Sequence, residues 1–117
     1  MRKVENSDVQ TIEGLERTVR ESIAAAFADN GGAQCGFCIP GIVMAAAALL
    51  KRNAAPSEEA VAAAITNLCR CGIYPRLIES IQRAGRAMRG DETITAGARP
   101  GIDPADAVKR VPALSPK

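Results

Sequence analysis

Apolar residues recur four apart at Leu15, Val19, Ile23 and Phe27, with Glu16, Arg17, Arg20 and Glu21 between them. That period paints one face of an amphipathic helix about three to four turns long. Asn30-Gly31-Gly32 ends it, because a glycine just past a helix enters the left-handed region at little cost. A second stripe, Ile42, Val43, Ala46, Leu49 and Leu50, opens at Pro40, read as the first helical position, where a missing N–H costs nothing. Lys51-Arg52-Asn53 closes it. Ser57 caps a third helix, with Glu58 and Glu59 at the positive end of its dipole and Val61, Ala64, Ile65 and Leu68 on its buried face. A fourth begins at Pro75 and carries Leu77, Ile78, Ile81, Ala84, Gly85 and Met88. With no strand pattern beside them, the four helices predict an all-α fold. Alanine runs at Ala45 to Ala48 and Ala62 to Ala64 fit either close helix–helix approach or plain helix propensity.

From Gly90 onward the periodicity stops, and Pro100, Pro104, Pro112 and Pro116 arrive with Gly97 and Gly101. Residues 90–117 therefore read as an irregular tail and residues 1–10 as an N-terminal extension, leaving 11–89 as the folded domain. Segments so poor in buried apolar surface do not fold alone, so disorder or docking along a partner is expected for both. Composition agrees with one small domain: 117 residues, 47% of them hydrophobic, and a net charge of +2. The apolar runs are too short and too often interrupted by charge to span a membrane. The N-terminus lacks the apolar core of a secretory signal, so a cytoplasmic location is expected. Fifteen basic residues against thirteen acidic form no stripe, and one Tyr and two Phe offer little base stacking, which speaks against nucleic acid. The absence of histidine removes the side chain most used for acid–base work near neutral pH. Substrate chemistry by this chain alone is not expected.

All four cysteines fall in two short motifs, Cys35-Gly36-Phe37-Cys38 and Cys69-Arg70-Cys71. Thiolates are soft ligands, and four of them suit tetrahedral zinc or an iron–sulfur cluster better than a hard cation. Each motif is followed within four residues by a proline that opens a helix. A helix N-terminus offers unpaired N–H groups and positive dipole, which suit an anionic thiolate centre. Neither Ile39 nor Tyr74, the residues before the prolines, is a capping type, so a bound centre and its cysteines are expected to supply part of the cap. Gly36, Gly41 and Gly72 allow tight bends around the ligands. Disulfides are disfavoured by the tight loops and by the reduced compartment. Spacing leaves zinc and iron–sulfur both open, although the one-residue bite of Cys69 and Cys71 is tighter than the usual zinc spacings.

The residues around the cysteines carry a resemblance. Gly31-Gly32-Ala33-Gln34-Cys35-Gly36-Phe37-Cys38-Ile39-Pro40-Gly41, followed by Asn67-Leu68-Cys69-Arg70-Cys71-Gly72-Ile73-Tyr74, resembles the C-terminal 2Fe-2S domain in the small subunit of the molybdenum hydroxylases. That is the xanthine oxidase and aldehyde oxidoreductase family. Thr11-Ile12-Glu13-Gly14-Leu15 is similar to the lead-in of that domain, so the match runs from about Thr11 to Met88. The resemblance implies a four-helix bundle with approximate two-fold symmetry and one 2Fe-2S cluster at the N-termini of two central helices. It implies Cys35, Cys38, Cys69 and Cys71 as iron ligands, with Gln34 and Cys71 lying against the molybdopterin of a large catalytic subunit. The implied function is a relay that takes electrons from that centre one at a time.

The resemblance assigns no role to Arg70. Small subunits of the family also carry an N-terminal plant-type ferredoxin domain with its own Cys-x4-Cys-x2-Cys series, and residues 1–34 contain no cysteine. The onward acceptor is then expected on a separate ferredoxin-type or other electron-acceptor chain, with a split chain, a removed segment and natural loss all open. A reading from another class also stands at this point: a helical interaction module stapled by zinc, with no redox activity.

Overall fold

A computed structural model describes residues 4–95. Met1 to Lys3 of the extension, and the proline-bearing stretch of the tail from residue 96, lie outside the described residues. A short 3-10 helix, Ile12–Gly14, leads into α1 (Arg17–Asn30), α2 (Ile39–Arg52), α3 (Glu58–Ala64) and α4 (Tyr74–Met88). The described residues form no strand, and the fold is all-α. α1 packs most extensively on α4, and α3 bridges α2 and α4. The two helix–loop–helix halves are unequal, since α1 has 14 residues and α3 has 7.

The predicted stripes meet in one core. Ile23, Ala26 and Phe27 of α1 pack with Ile42, Val43, Ala46, Leu49 and Leu50 of α2, Val61 of α3, and Leu77, Ile81 and Ala84 of α4. Ile65, Cys69 and Ile73 join them from the loop between α3 and α4. Burying a Leu, Ile or Val side chain contributes about 1.5–3 kcal/mol, so this cluster supplies the main drive for closing the bundle. The alanine runs divide: Ala46 and Ala47 are buried, whereas Ala62 and Ala63 face solvent. The first run serves close packing and the second serves helix propensity.

Two caps form as predicted. Gly31 takes φ 63°, its N–H bonding to the Phe27 carbonyl, and the Gly32 N–H reaches the same oxygen at 2.8 Å. The Ser57 hydroxyl accepts the Ala60 N–H at 3.2 Å, satisfying one of the orphan donors of α3. The starts of α2 and α4 differ from expectation by one residue. Pro40 and Pro75 occupy the second helical position, because the first helical carbonyls are those of Cys38, which accepts the Ile42 N–H at 3.1 Å, and Ile73, which accepts the Leu77 N–H at 3.1 Å. Cys38 and Ile73 are therefore the N-caps, and neither makes a side-chain capping bond. A proline at the second position still forgoes only an N–H that has no helical partner.

Leu68 is a larger departure. Expected on the buried face of α3, it is 90% exposed, because α3 stops at Ala64 and the chain turns away after Ile65. The Tyr74 hydroxyl holds that turn: it donates to the Asn67 carbonyl at 3.1 Å and accepts the Cys69 N–H at 2.7 Å. Continued helix would have carried Cys69 away from the other cysteines.

The chain also stays on the bundle past α4. Ile94 packs against the core, and Glu92 pairs with Arg83 at 2.6 Å and Arg86 at 3.1 Å, while Arg83 reaches back to Asp29 and to Asn30 on α1. The two guanidinium groups hold the Glu92 carboxyl below its ordinary range, Arg83 being the main cause.

Gly32 marks the tightest approach below the first cysteine loop. A Cβ there would lie 2.6 Å from the Ser80 hydroxyl oxygen and 3.4 Å from the Phe27 Cα, and Ser80 is fully buried with its hydroxyl donated to the Arg76 carbonyl. Gly32→Ala is expected to destabilise the fold by about 1–3 kcal/mol, the usual cost of overpacking a filled site. Chemical denaturation reads this as a lower midpoint with an unchanged slope.

Candidate metal centre

The two cysteine motifs are loops that end at helix N-termini. In the first, Gly36 takes φ 83° and its carbonyl accepts the Ile39 N–H at 3.2 Å, which folds Cys35 back towards Cys38. In the second, the Gly72 N–H bonds to the Cys69 carbonyl at 3.1 Å and Gly72 takes φ 69°. At both positions a side chain would strain the backbone. Gly41 matters for space instead. A Cβ there would sit 2.8 Å from the Asn67 side-chain nitrogen, so its absence lets α2 lie against the second loop.

All four thiols are free, Cys69 buried, Cys38 and Cys71 half-buried, and Cys35 exposed. Across the two loops Cys38 and Cys69 influence each other's acidity, and Cys35 influences that of Cys71. Among the described residues no three Cys, His, Asp or Glu side chains converge on a point fit for a single metal ion. The thiols differ in acidity. Cys69 is held below the ordinary thiol range, chiefly by the Ile73 N–H, with the Cys38 thiol and the Gly72 and Cys71 N–H groups assisting against burial. Cys38 is pushed up by burial, then by the thiol and charge of Cys69. For Cys71 the Cys35 backbone acts downward, but the Cys35 thiol, burial and the charges of Cys35 and Cys69 leave it raised. Cys38 and Cys71, raised in part by their cysteine neighbours, would be taken as thiolates by a cationic centre.

Of the expected site residues, Cys35, Cys38 and Cys69 line one hollow, and Gln34 is exposed on the loop beside Cys35. A hollow of about 550 Å³ opens between the two loops, lined by Cys35, Cys38 and Cys69 and rimmed by Phe37, Leu68 and Arg70. A groove of about 720 Å³ between α1 and residues 90–94 is larger but holds no cysteine. Sequence reasoning missed Tyr74 as the clamp of the second loop. Its signal was present, since it is the one tyrosine of the chain and stands directly before Pro75.

Residues 11–82, more than half of the chain, match the 2Fe-2S binding domain family. The chain belongs to that family. It is 33% identical over 84 residues to the nicotinate dehydrogenase small FeS subunit of Eubacterium barkeri, covering 70% of this chain and 54% of that one. It is 42% identical over 81 residues to xanthine dehydrogenase of Emericella nidulans, covering 68% of this chain and 6% of that one. Among solved structures, the aldehyde oxidoreductase from Desulfovibrio desulfuricans ATCC 27774 superposes with a TM-score of 0.66 at 36% identity, covering 74% of this chain and 10% of that one. The chain therefore spans about half the length of the small nicotinate dehydrogenase relative and a small fraction of the two longer ones. No helix among the described residues is long and apolar enough to cross a membrane.

Proposed function

We propose that this chain is the electron-relay component of a molybdenum-dependent hydroxylase, holding one 2Fe-2S cluster on Cys35, Cys38, Cys69 and Cys71. The observation that carries the reading is that two cysteine loops, each running into a helix N-terminus, bring Cys35, Cys38 and Cys69 to the wall of one hollow, with Cys71 two residues beyond Cys69. Membership of the 2Fe-2S binding domain family supports it, as do the dehydrogenase and oxidoreductase names of its relatives. When bound, the group supplies a one-electron couple, which a hydroxylation centre releasing two electrons needs in order to discharge them singly.

The chain's own residues do the rest. The backbone N–H groups of Ile73, Gly72 and Cys71 favour the Cys69 thiolate, and N–H to sulfur bonds of this kind raise a cluster's reduction potential. Cys38, as the N-cap of α2, puts its sulfur at the positive end of the helix dipole. Ile73 and Cys69, both buried, keep water from the inner edge, while Cys35 and Gln34 stand on the outer edge where a partner can reach them. In the proposed complex the two loops are related by an approximate two-fold axis. Gln34 and Cys71 lie against the molybdopterin of a large catalytic chain, and electrons leave to a ferredoxin-type or other acceptor chain. Four free thiols suit a reducing cytoplasm.

Gln34→Ala tests the assignment at the outer edge. The variant is expected to load iron and absorb visible light like the parent, because Gln34 is exposed and contributes nothing to the core. Reduction of its cluster within the molybdenum complex is expected to slow at least about tenfold, the effect of losing roughly 1.4 kcal/mol of positioning or coupling. Stopped-flow absorbance reads both, and a parent-like rate would remove Gln34 from the role.

A further inference from the structure

We propose that Asn67 is a positioning residue for the cluster: its side-chain amide, seated on Gly41, sets the separation of the two cysteine loops and with it the meeting of the four thiolates. This rests on the relay reading and extends it to the contact that keeps the ligand loops in register. Gly41 lies in the first turn of α2, three residues after Cys38. A Cβ on it would stand 2.8 Å from the Asn67 side-chain nitrogen and 3.8 Å from its Cγ, so the amide rests directly against the glycine backbone. Gly41 is helical and does not have a positive φ, so its backbone conformation does not call for a glycine. A glycine in a helix weakens it relative to alanine. What the glycine provides at this position is the space that Asn67 takes.

Asn67 reaches the second motif through its main chain. Its carbonyl accepts the Tyr74 hydroxyl at 3.1 Å, and that hydroxyl accepts the Cys69 N–H at 2.7 Å. Tyr74 is the first residue of α4. One residue therefore touches the helix after the first cysteine motif with its side chain and is bonded to the helix after the second with its backbone. Helix packing does not supply this link, because α2 and α4 contact each other less than each contacts α1 and α3. The two ends that carry the cysteines thus have little direct contact to fix their spacing, and Asn67 bridges them. A loop amide that served its own turn alone would need no glycine opposite it. Groups that orient metal ligands from behind govern how firmly a site keeps its metal.

The test uses the iron-loaded full chain, its Asn67→Ala and Gly41→Ala variants, and the double variant. Visible absorbance follows iron loss to a chelator, and electron paramagnetic resonance reads the dithionite-reduced samples. Each single variant is expected to lose iron at least about tenfold faster than the parent, the scale on which ligand-orienting groups act, and to shift the g-values of the reduced centre. In the double variant the added methyl occupies the space the amide has left, so iron loss is expected to be no faster than in Asn67→Ala alone. That failure to add is the signature of two groups acting through one contact. Single variants whose effects multiply in the double variant, or which melt lower while keeping parent g-values and iron retention, overturn the positioning role and leave the relay standing. A parent chain that carries zinc and no iron overturns the relay reading and the proposal with it.

Discussion

Cys69→Ser is expected to strip the chain of essentially all its iron, whereas Cys35→Ser retains a measurable fraction. The difference follows from where the two sulfurs lie. Cys69 is buried, belongs to the core cluster and has its backbone N–H held by the Tyr74 hydroxyl, so its place is fixed by the fold. A serine oxygen there is a harder and shorter ligand, protonated at neutral pH, and a poor donor to iron. Cys35 is exposed on a loop bent at Gly36, where water or a neighbouring side chain can approach the vacated position. Without a centre, the N-termini of α2 and α4 have no side-chain caps, so Cys69→Ser should also melt at a lower temperature than the loaded parent. Iron analysis and calorimetry of both variants check this; parent-like iron in Cys69→Ser would contradict the assignment of the buried thiol.

Tyr74→Phe carries the second largest effect, because one hydroxyl holds the whole turn between α3 and the second cysteine motif. Removing it leaves the Cys69 N–H without its 2.7 Å acceptor and the Asn67 carbonyl without its 3.1 Å donor. An unsatisfied, partly buried backbone group costs about 1–3 kcal/mol. Each kcal/mol lowers the melting temperature of a domain this size by about 4–8 °C. Because the loop carries Cys69, the variant should also lose iron to a chelator faster than the parent. Thermal unfolding and chelator challenge measure the two consequences, and parent-like behaviour in both would show that the loop is held by something other than Tyr74.

The legible and illegible parts of this chain separate by the range of the interactions involved. Caps and stripes depend on neighbours within one or two helical turns, which is why Ser57, Gly31 and the buried faces of α1, α2 and α4 could be read directly. The cysteine loops were equally plain, since soft ligands at short spacing have few other uses. Leu68 misled because it continues the period of α3, while the force that ends the helix is a hydroxyl on α4 reaching back to Asn67 and Cys69. Side-chain to backbone bonds of that kind leave no periodic trace. The one-residue shift at Pro40 and Pro75 arises because the cysteine loops begin their turns early, with Cys38 already supplying the first helical carbonyl. Glu92 and Ile94 were hidden for a related reason. Their partners Arg83, Arg86 and the core are presented only once α1 and α4 have packed.

What the four thiols hold is decided most directly by electron paramagnetic resonance of the anaerobically purified, dithionite-reduced chain, with iron and zinc counted on the same sample. A relay centre predicts a rhombic spin-half signal with about two irons per chain, as one cluster on four cysteines requires. No signal, with about one zinc per chain as a four-thiolate structural site takes, would contradict the relay and make the chain a zinc-stapled interaction module.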